Sequence, residues 1–418
     1  MGLRQTVTVR GRRSLVVAAC LGLVAAGALA RSKPLAFGSS PRSGLADARF
    51  DPRSVTFVSP HTGWVLGTVP CAPAGACVAL AQTTDAGRSW FARPLPASLV
   101  AAADRKVGGV PADLYDSASV GLNVRFADPR DGWIYGGLAV PTHPASSAAA
   151  AIEATLWSTH DGGLTWHQQP LRGLGSQASI FDLEAAAGTA HLMESSTAGG
   201  VSVKSSLATH DRWSVSNAVR LGSPAGGGQQ TGAFIFQGSS GWLVEGNDRG
   251  TTGSARSAHG RWVSWTPPCA SVGHSFAIPA ASTANNLVAV CVMGGFAYPL
   301  SKSAPPGATL GSSWLYFSTD AGRTFDAGPE LRPHAFTFFG VLASPSPRTI
   351  LLGHGVGSAQ ELVASFDGGL HWTDVYRGTP LFLGFTTPRQ GVAIIGSSKS
   401  TAMIMTFDGG HHWTRVTF

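Results

Sequence analysis

Apolar and polar positions along this chain alternate in short runs, and each run is closed by a cluster of turn-forming residues. The stretches VTFVSPHTGWVLG (55–67), VRFADPRDGWIYGG (124–137) and FIFQGSSGWLVEG (234–246) share one design. An apolar strand leads into a short polar turn, and Gly-Trp opens a second apolar strand. Weaker copies are IFDLEAAAGTAHLME (180–194), FAIPAASTANNLVAVCV (276–292), FTFFGVLASPSPRTILLG (336–353) and LFLGFTTPRQGVAIIG (381–396). The succession of apolar strand, polar turn and apolar strand predicts β-hairpins.

A second element alternates with these pairs. It reads Ser/Thr-x-Asp-x-Gly-x-x-Trp/Phe and occurs as TTDAGRSW (83–90), THDGGLTW (159–166), STDAGRTF (318–325), SFDGGLHW (365–372) and TFDGGHHW (406–413). Its recurring positions are Asp85, Gly87 and Trp90; Asp161, Gly163 and Trp166; Asp320, Gly322 and Phe325; Asp367, Gly369 and Trp372; and Asp408, Gly410 and Trp413. Two remnants fill the gaps: THDRW (209–213) keeps Asp and Trp without the Gly, and AHGRW (258–262) keeps Gly and Trp without the Asp. The Gly suits a backbone with positive φ, the carboxylate can accept from turn N–H groups, and the aromatic starts the outgoing strand. Each part stabilises a hairpin, so these acids are expected to be structural rather than catalytic.

The alternation runs seven times without a gap. Each unit supplies four short antiparallel strands, which predicts an all-β fold, a seven-bladed β-propeller of four-stranded antiparallel blades. The expected division is 1–30 as signal peptide or N-terminal anchor, 31–49 as linker and 50–418 as one propeller. The 388 residues after the first 30 give about 55 per unit, somewhat above the usual range for a propeller blade. Closure is expected through blade-to-blade packing, with a shared closing blade as the alternative if 46–53 pair with the last blade.

The turns resemble the Asp-box, or BNR, repeat of sialidase-like propellers. The combination with Gly-Trp strands is most similar to the photosystem II stability/assembly factor type. The resemblance covers residues 50–418 and implies a fold more firmly than an activity. It implies help to a membrane or envelope complex on one side and glycoside hydrolysis on the other. Exo-sialidases of similar fold use three arginines, a Tyr/Glu pair, an acidic acid/base and a Phe/Tyr-Arg-Ile-Pro stretch. VRFADP (124–129) and FARP (91–94) do not match that stretch, and the tyrosines (Tyr115, Tyr135, Tyr298, Tyr316, Tyr376) complete no catalytic set.

Composition narrows the class further. The chain has 418 residues, is 44% hydrophobic and only 13% charged, and contains 53 Gly and 12 Trp, which suits a turn-rich β protein rather than a disordered one. Arg4, Arg10, Arg12 and Arg13 precede an apolar run ending in Ala28-Leu29-Ala30, the pattern of a secretory signal. A loose twin-arginine signal, a lipoprotein box at Cys20 and an uncleaved anchor stay open. Without residues 1–30 the balance is 26 basic to 23 acidic residues, a net of +3, and no dense Lys/Arg run suggests nucleic acid. Cys71, Cys77, Cys269 and Cys291 form an even set that favours two disulfides in an exported chain. No zinc spacing, other metal site or cofactor motif is recognised; adjacent His411 and His412 point to opposite faces of a strand.

Insertions are the clearest functional sign. CAPAGAC (71–77), LAVPTHPASSAAAAIEA (138–154) and GGFAYPLSKSAPPGATLGSS (294–313) join second to third strands, and PASLVAAADRKVGGVPADLYDSASVG (96–121) joins two blades. All belong on the face opposite the Asp turns, where recognition resides on a rigid scaffold. Arg105, Lys106, Asp113 and Tyr115 are the contact candidates. The expected function is an exported, non-enzymatic scaffold binding a protein or glycan; the alternative is a secreted sialidase-like glycoside hydrolase.

Overall fold

The structure is a computed structural model and describes residues 50–71, 75–100, 106–107, 110–111, 121–140, 151–171, 180–195, 201–215, 231–247, 250–258, 260–270, 275–292, 313–331, 337–356, 359–397 and 400–418. Within them the chain forms seven four-stranded antiparallel sheets, each made of strands consecutive in sequence. These are blades 1 to 7, over 51–93, 122–168, 180–215, 231–264, 276–331, 337–377 and 380–415. The first strands of successive blades lie against one another and therefore surround the axis. The fourth strands are the outermost and in most blades the shortest, as in His167–Gln168 and Ser214–Val215. The expected seven-bladed propeller is what the chain forms.

The Gly-Trp pairs have a packing reason. In blade 1, Gly63 faces Phe57 across the first hairpin, and a Cβ there would come within 2.6 Å of the Phe57 ring. Gly132 and Gly241 stand in the same relation to Phe126 and Phe236. The Trp that follows is fully buried between blades: Trp64, Trp133 and Trp242 are all 0% exposed. Apolar clusters fill each blade-to-blade seam. One joins Leu66 and Leu80 of blade 1 to Val124 and Ile134 of blade 2, and another joins Leu352 and Val363 of blade 6 to Val290 and Leu315 of blade 5. Burial of such side chains is the main driving force for closing the ring.

The inner edge of each first strand lacks a neighbouring strand, and side chains satisfy some of its N–H groups. In blade 1, Ser54 Oγ accepts from Val124 N at 3.0 Å and Thr56 Oγ1 from Phe126 N at 3.4 Å. The ring closes between blades 7 and 1 by packing. Phe50, Val55 and Trp90 pack on Val392, Ile394, Met403 and Met405. Phe418 lies against Phe50 and Trp90, with ring centroids 4.4 and 5.2 Å away. Gln390 Nε2 donates to Pro60 O at 2.8 Å, and Thr401 Oγ1 to Pro52 O at 2.6 Å. No strand is shared between these two sheets among the described residues.

One element was not foreseen. The long link after blade 1 carries a helical turn, Ala97–Val100, and a two-stranded ribbon of Lys106–Val107 with Val110–Pro111. Among the described residues no helix is long and apolar enough to cross a membrane. Residues 1–49 lie outside the described residues, and so do the expectations placed on them.

Candidate functional site

The Asp turns end the third strands on one face of the propeller, and all five have the same geometry. The Ser/Thr hydroxyl (Thr83, Thr159, Ser318, Ser365, Thr406) donates to the Asp carboxylate at 2.8–2.9 Å. The same oxygen accepts from the Gly N–H four residues on at 2.7–2.9 Å. The carboxylate accepts from backbone N–H groups on the far side of the turn, for example Thr165 N at 2.9 Å and His371 N at 3.0 Å. Its second oxygen takes a side-chain bond from Ser89, Thr165, Thr324, His371 or His412. Burial works against ionisation of Asp161, but the bonds from Thr165, Thr159 and Leu164 outweigh it and hold the acid at about 2. Asp320 and Asp367 are held well below the carboxylate range, first by the backbone N–H groups of Thr324 and His371. These acids are saturated acceptors.

Both residues after the Ser/Thr-x-Asp segment lie in the left-handed region. Ala86, Gly162, Ala321, Gly368 and Gly409 have φ between 63° and 83°, and the Gly beyond each has φ between 79° and 101°. The N–H of that first residue reaches the hairpin between strands one and two of its own blade: Ala86 to His61 O, Gly162 to Arg130 O, Ala321 to Asn285 O, Gly368 to Arg348 O and Gly409 to Arg389 O, at 2.8–3.0 Å. Its carbonyl can serve the preceding blade. Trp64 Nε1 of blade 1 donates to Gly162 O of blade 2 at 3.2 Å, and Trp242 Nε1 of blade 4 to Ala321 O of blade 5 at 3.1 Å. The Asp turn is thus also a latch between blades, a role that spans 98 residues in the first case.

In blade 3 the turn has degenerated. Ser206 pairs with Ala190 as Thr159 pairs with Gly132, and Trp213 stands seven residues after it. Counted from Ser206, the acid position holds Ala208 and the Gly position His210, and the turn is tighter than the intact ones, since Ala208 N itself reaches Gly188 O of the hairpin at 2.9 Å. Asp211 is not the missing acid. Its Oδ2 turns toward blade 2, where it accepts from Ser158 Oγ at 2.7 Å and Gln169 Nε2 at 2.8 Å and meets His160 Nε2 at 3.1 Å. The other nitrogen of His160 meets Asp131 at 2.6 Å. Burial would lower the His160 pKa, but the two carboxylates outweigh it and raise it. With no intact turn to receive it, Trp133 Nε1 has no acceptor among the described residues.

A second polar cluster lies near the axis, again between blades 2 and 3. Arg125, in the strand Leu122–Phe126, gives its Nε to Leu183 O at 3.0 Å and pairs with Glu184 at 2.8 Å. Tyr135 OH donates to Asp182 Oδ1 at 2.8 Å. Asp182 and Glu184 are two apart in Ile180–Ala186, hence on one face and about 7 Å apart along the strand. Burial pushes Glu184 up to about 7; Arg125 opposes the rise and Asp182 adds to it. Burial likewise raises the Tyr135 hydroxyl, with Asp182 adding to the effect. Sequence reading placed Tyr135 in a strand and found no partners for it. The available signal was the charge within VRF and FDLEA, first strands that should read as apolar.

Glu245 is a third acid of note. It is 2% exposed near the end of the second strand of blade 4, and neither carboxylate oxygen has a partner among the described residues. Burial pushes it up to about 7.

The opposite face holds both disulfides. Cys71–Cys77 closes the hairpin between strands two and three of blade 1. Cys269–Cys291 ties the segment after the fourth strand of blade 4 to the end of the second strand of blade 5. The strands flanking 141–150 and 293–312 end on this same face. Of the contact candidates, Lys106 lies in the short ribbon; Arg105, Asp113 and Tyr115 lie outside the described residues. Among the described residues no group of three His, Cys, Asp or Glu is arranged to hold a metal ion.

The fold and these features define a seven-bladed propeller braced by disulfides at one face and by Asp turns at the other. No family profile matches the chain, and no curated protein does. Solved structures do. A lectin, BP39L from Burkholderia pseudomallei, is similar with a TM-score of 0.51 and 13% identity, covering 88% of this chain and 100% of its own. A polysaccharide lyase, the PL25 ulvan lyase, gives 0.51 and 12%, covering 89% and 96%. YCF48 bound to D1 peptide gives 0.49 and 18%, covering 87% and 94%. At such identities the likeness concerns the fold alone.

Proposed function

We propose that this protein is an exported, non-enzymatic propeller of the BNR/Asp-box type that binds a protein or glycan partner through the face opposite the Asp turns. The observation that carries this reading is the placement of the disulfides. Both brace the face from which the long insertions leave, where they stiffen loop ends against thermal motion. Rigid strand ends carrying long loops are the usual construction of a recognition surface. Two disulfides also suit an oxidising compartment, in keeping with the signal-like residues 1–30. The Asp turns then act as structure, tying each hairpin to itself and, at two seams, to the blade before. The resemblance to the assembly-factor type suggests an envelope or membrane complex as the setting. Capture from envelope extracts and a glycan panel, each with wild-type protein and with a variant whose 141–150 and 293–312 segments are replaced by short Gly/Ser turns, tests the reading. Loss of a specific partner in the variant supports it.

One observation favours a second reading, glycoside cleavage. Asp182 and Glu184 have a spacing usable for a carboxylate pair, Glu184 is raised to about 7 by burial, and Tyr135 and Arg125 stand beside them. Arg125 and Glu184 are 20% and 21% exposed, so a ligand at the axis can reach them. The propeller fold carries both a lectin and a lyase among the solved structures, so the fold itself does not choose. Turnover of a fluorogenic glycoside panel that is lost in E184Q and D182N selects this second reading.

A further inference from the structure

The degenerate turn of blade 3 leaves a space as well as an orphaned tryptophan. A groove of about 380 Å³ opens there, lined by Thr189, Ser205, Ser206, His210, Arg212 and Ser214. That volume is at the lower end of the range for small-ligand sites. It lies on the Asp-turn side of the propeller, away from the insertions. In the five intact turns, the residue six after the Ser/Thr gives a side-chain hydrogen bond to the turn's own carboxylate. In blade 3 that residue is Arg212, and the carboxylate is absent because Ala208 occupies its position. Asp211, next to it in sequence, is engaged with Ser158, His160 and Gln169 of blade 2. The Arg212 side chain makes no ion pair or hydrogen bond among the described residues. The Arg212 backbone N–H takes over the Ser206 hydroxyl at 3.0 Å, in the manner of the missing glycine.

We propose that this groove binds an acidic saccharide, whose carboxylate or sulfate pairs with the Arg212 guanidinium lining the groove. Arg212 supplies the guanidinium fork that pairs with an oxyanion. His210, whose Nδ1 is bonded to Thr209 Oγ1 at 2.8 Å, presents its other ring nitrogen. Thr189 adds a hydroxyl for a sugar contact, and Ser205 and Ser214, whose hydroxyls bond His191 Nδ1 at 2.8 Å and Ser205 O at 3.4 Å, add acceptor lone pairs. Leu207, 60% exposed at the rim, offers an apolar surface for a pyranose ring. The site is separate from the insertion-bearing face and does not depend on what that face binds.

The test is calorimetric titration of the purified protein with a uronic-acid disaccharide, a sulfated disaccharide, a neutral disaccharide and inorganic phosphate. Either acidic disaccharide should bind with Kd below about 1 mM, and the neutral one should not. R212Q should weaken binding at least about tenfold, the loss of one charge-assisted pair. R212E should abolish it by reversing the charge in the groove. Both changes are at an exposed residue, and an unchanged melting temperature shows that the variants are folded. Acidic disaccharide binding that is unchanged in R212Q overturns the proposal. So does the absence of binding by both acidic disaccharides, including the case in which phosphate alone binds.

Discussion

Trp64 and Trp133 offer a controlled comparison of what an intact Asp turn contributes to its neighbour. Both open the second strand of their blade after Gly, both are 0% exposed, and both face the next blade. They differ in what they find there. Trp64 Nε1 donates to Gly162 O at 3.2 Å, whereas Trp133 Nε1 meets the remnant turn and has no acceptor among the described residues. Replacing either by Phe removes a similar part of the ring, so both variants incur a similar packing loss. W64F also loses a hydrogen bond worth about 1 kcal/mol net and leaves a buried carbonyl less satisfied. W133F removes a buried orphan donor whose desolvation costs about 1–3 kcal/mol. W64F should therefore be less stable than W133F by about 2 kcal/mol or more. Urea unfolding followed by far-UV circular dichroism gives the comparison without relying on indole fluorescence. Equal destabilisation, or a larger loss in W133F, would refute the latch. W242F should behave as W64F does, since Trp242 reaches Ala321 O at 3.1 Å.

Buried acids, strained turns and disulfides give further expectations. The Glu245 carboxyl is raised from 4.5 to about 7, so the folded chain holds this proton more tightly than the unfolded one. Its contribution therefore falls as pH rises from about 4.5 to 7, by at most about 3 kcal/mol. Raised Glu184 and His160 act in the same sense, while the depressed Asp turns lose stability as pH falls below about 4. Burial holds His191 down at about 4, which acts in the opposite sense below pH 6.5, so the pH profile is read as a difference between variants. Relative to wild type, E245Q should lose less melting temperature between pH 5 and 8; an unaltered slope counts against a buried acid at 245. A86G and A321G, which relieve non-glycine residues at φ 65° and 63°, should each stabilise by about 0.5–1 kcal/mol in denaturant melts. Reduction should cost stability according to loop length. Loss of Cys269–Cys291, separated by 22 residues, should cost about 3 kcal/mol, against about 2 for Cys71–Cys77, separated by 6, as C269A and C71A melts would show.

The blades were legible because each repeats two local signals. Gly63, Gly132 and Gly241 sit under phenylalanine rings of their own hairpins, and the Asp turns are closed by residues within a few positions of one another. Even the degenerate blades kept Trp213 or Trp262 at the start of the outgoing strand, which preserved the count. What links blades was not legible. The Trp64 bond to Gly162 and the Arg125 pair with Glu184 join residues 98 and 59 positions apart, and only the ring brings them together. Asp211 was misleading for the same reason. Sequence placed it near an Asp-turn position, whereas the count from Ser206 assigns that position to Ala208 and leaves Asp211 to blade 2. The Lys106 ribbon was missed because two-residue strands carry no periodicity.

The most direct test of the binding-scaffold reading compares partner capture by the wild-type protein with capture by the variant whose 141–150 and 293–312 segments are replaced by short turns, with melting temperature and glycoside turnover measured on both. The expected result is a specific protein or glycan retained by the wild type and lost by the variant, at unchanged melting temperature and without turnover. Retention of the same partner by the variant, or glycoside turnover that E184Q abolishes, would contradict it.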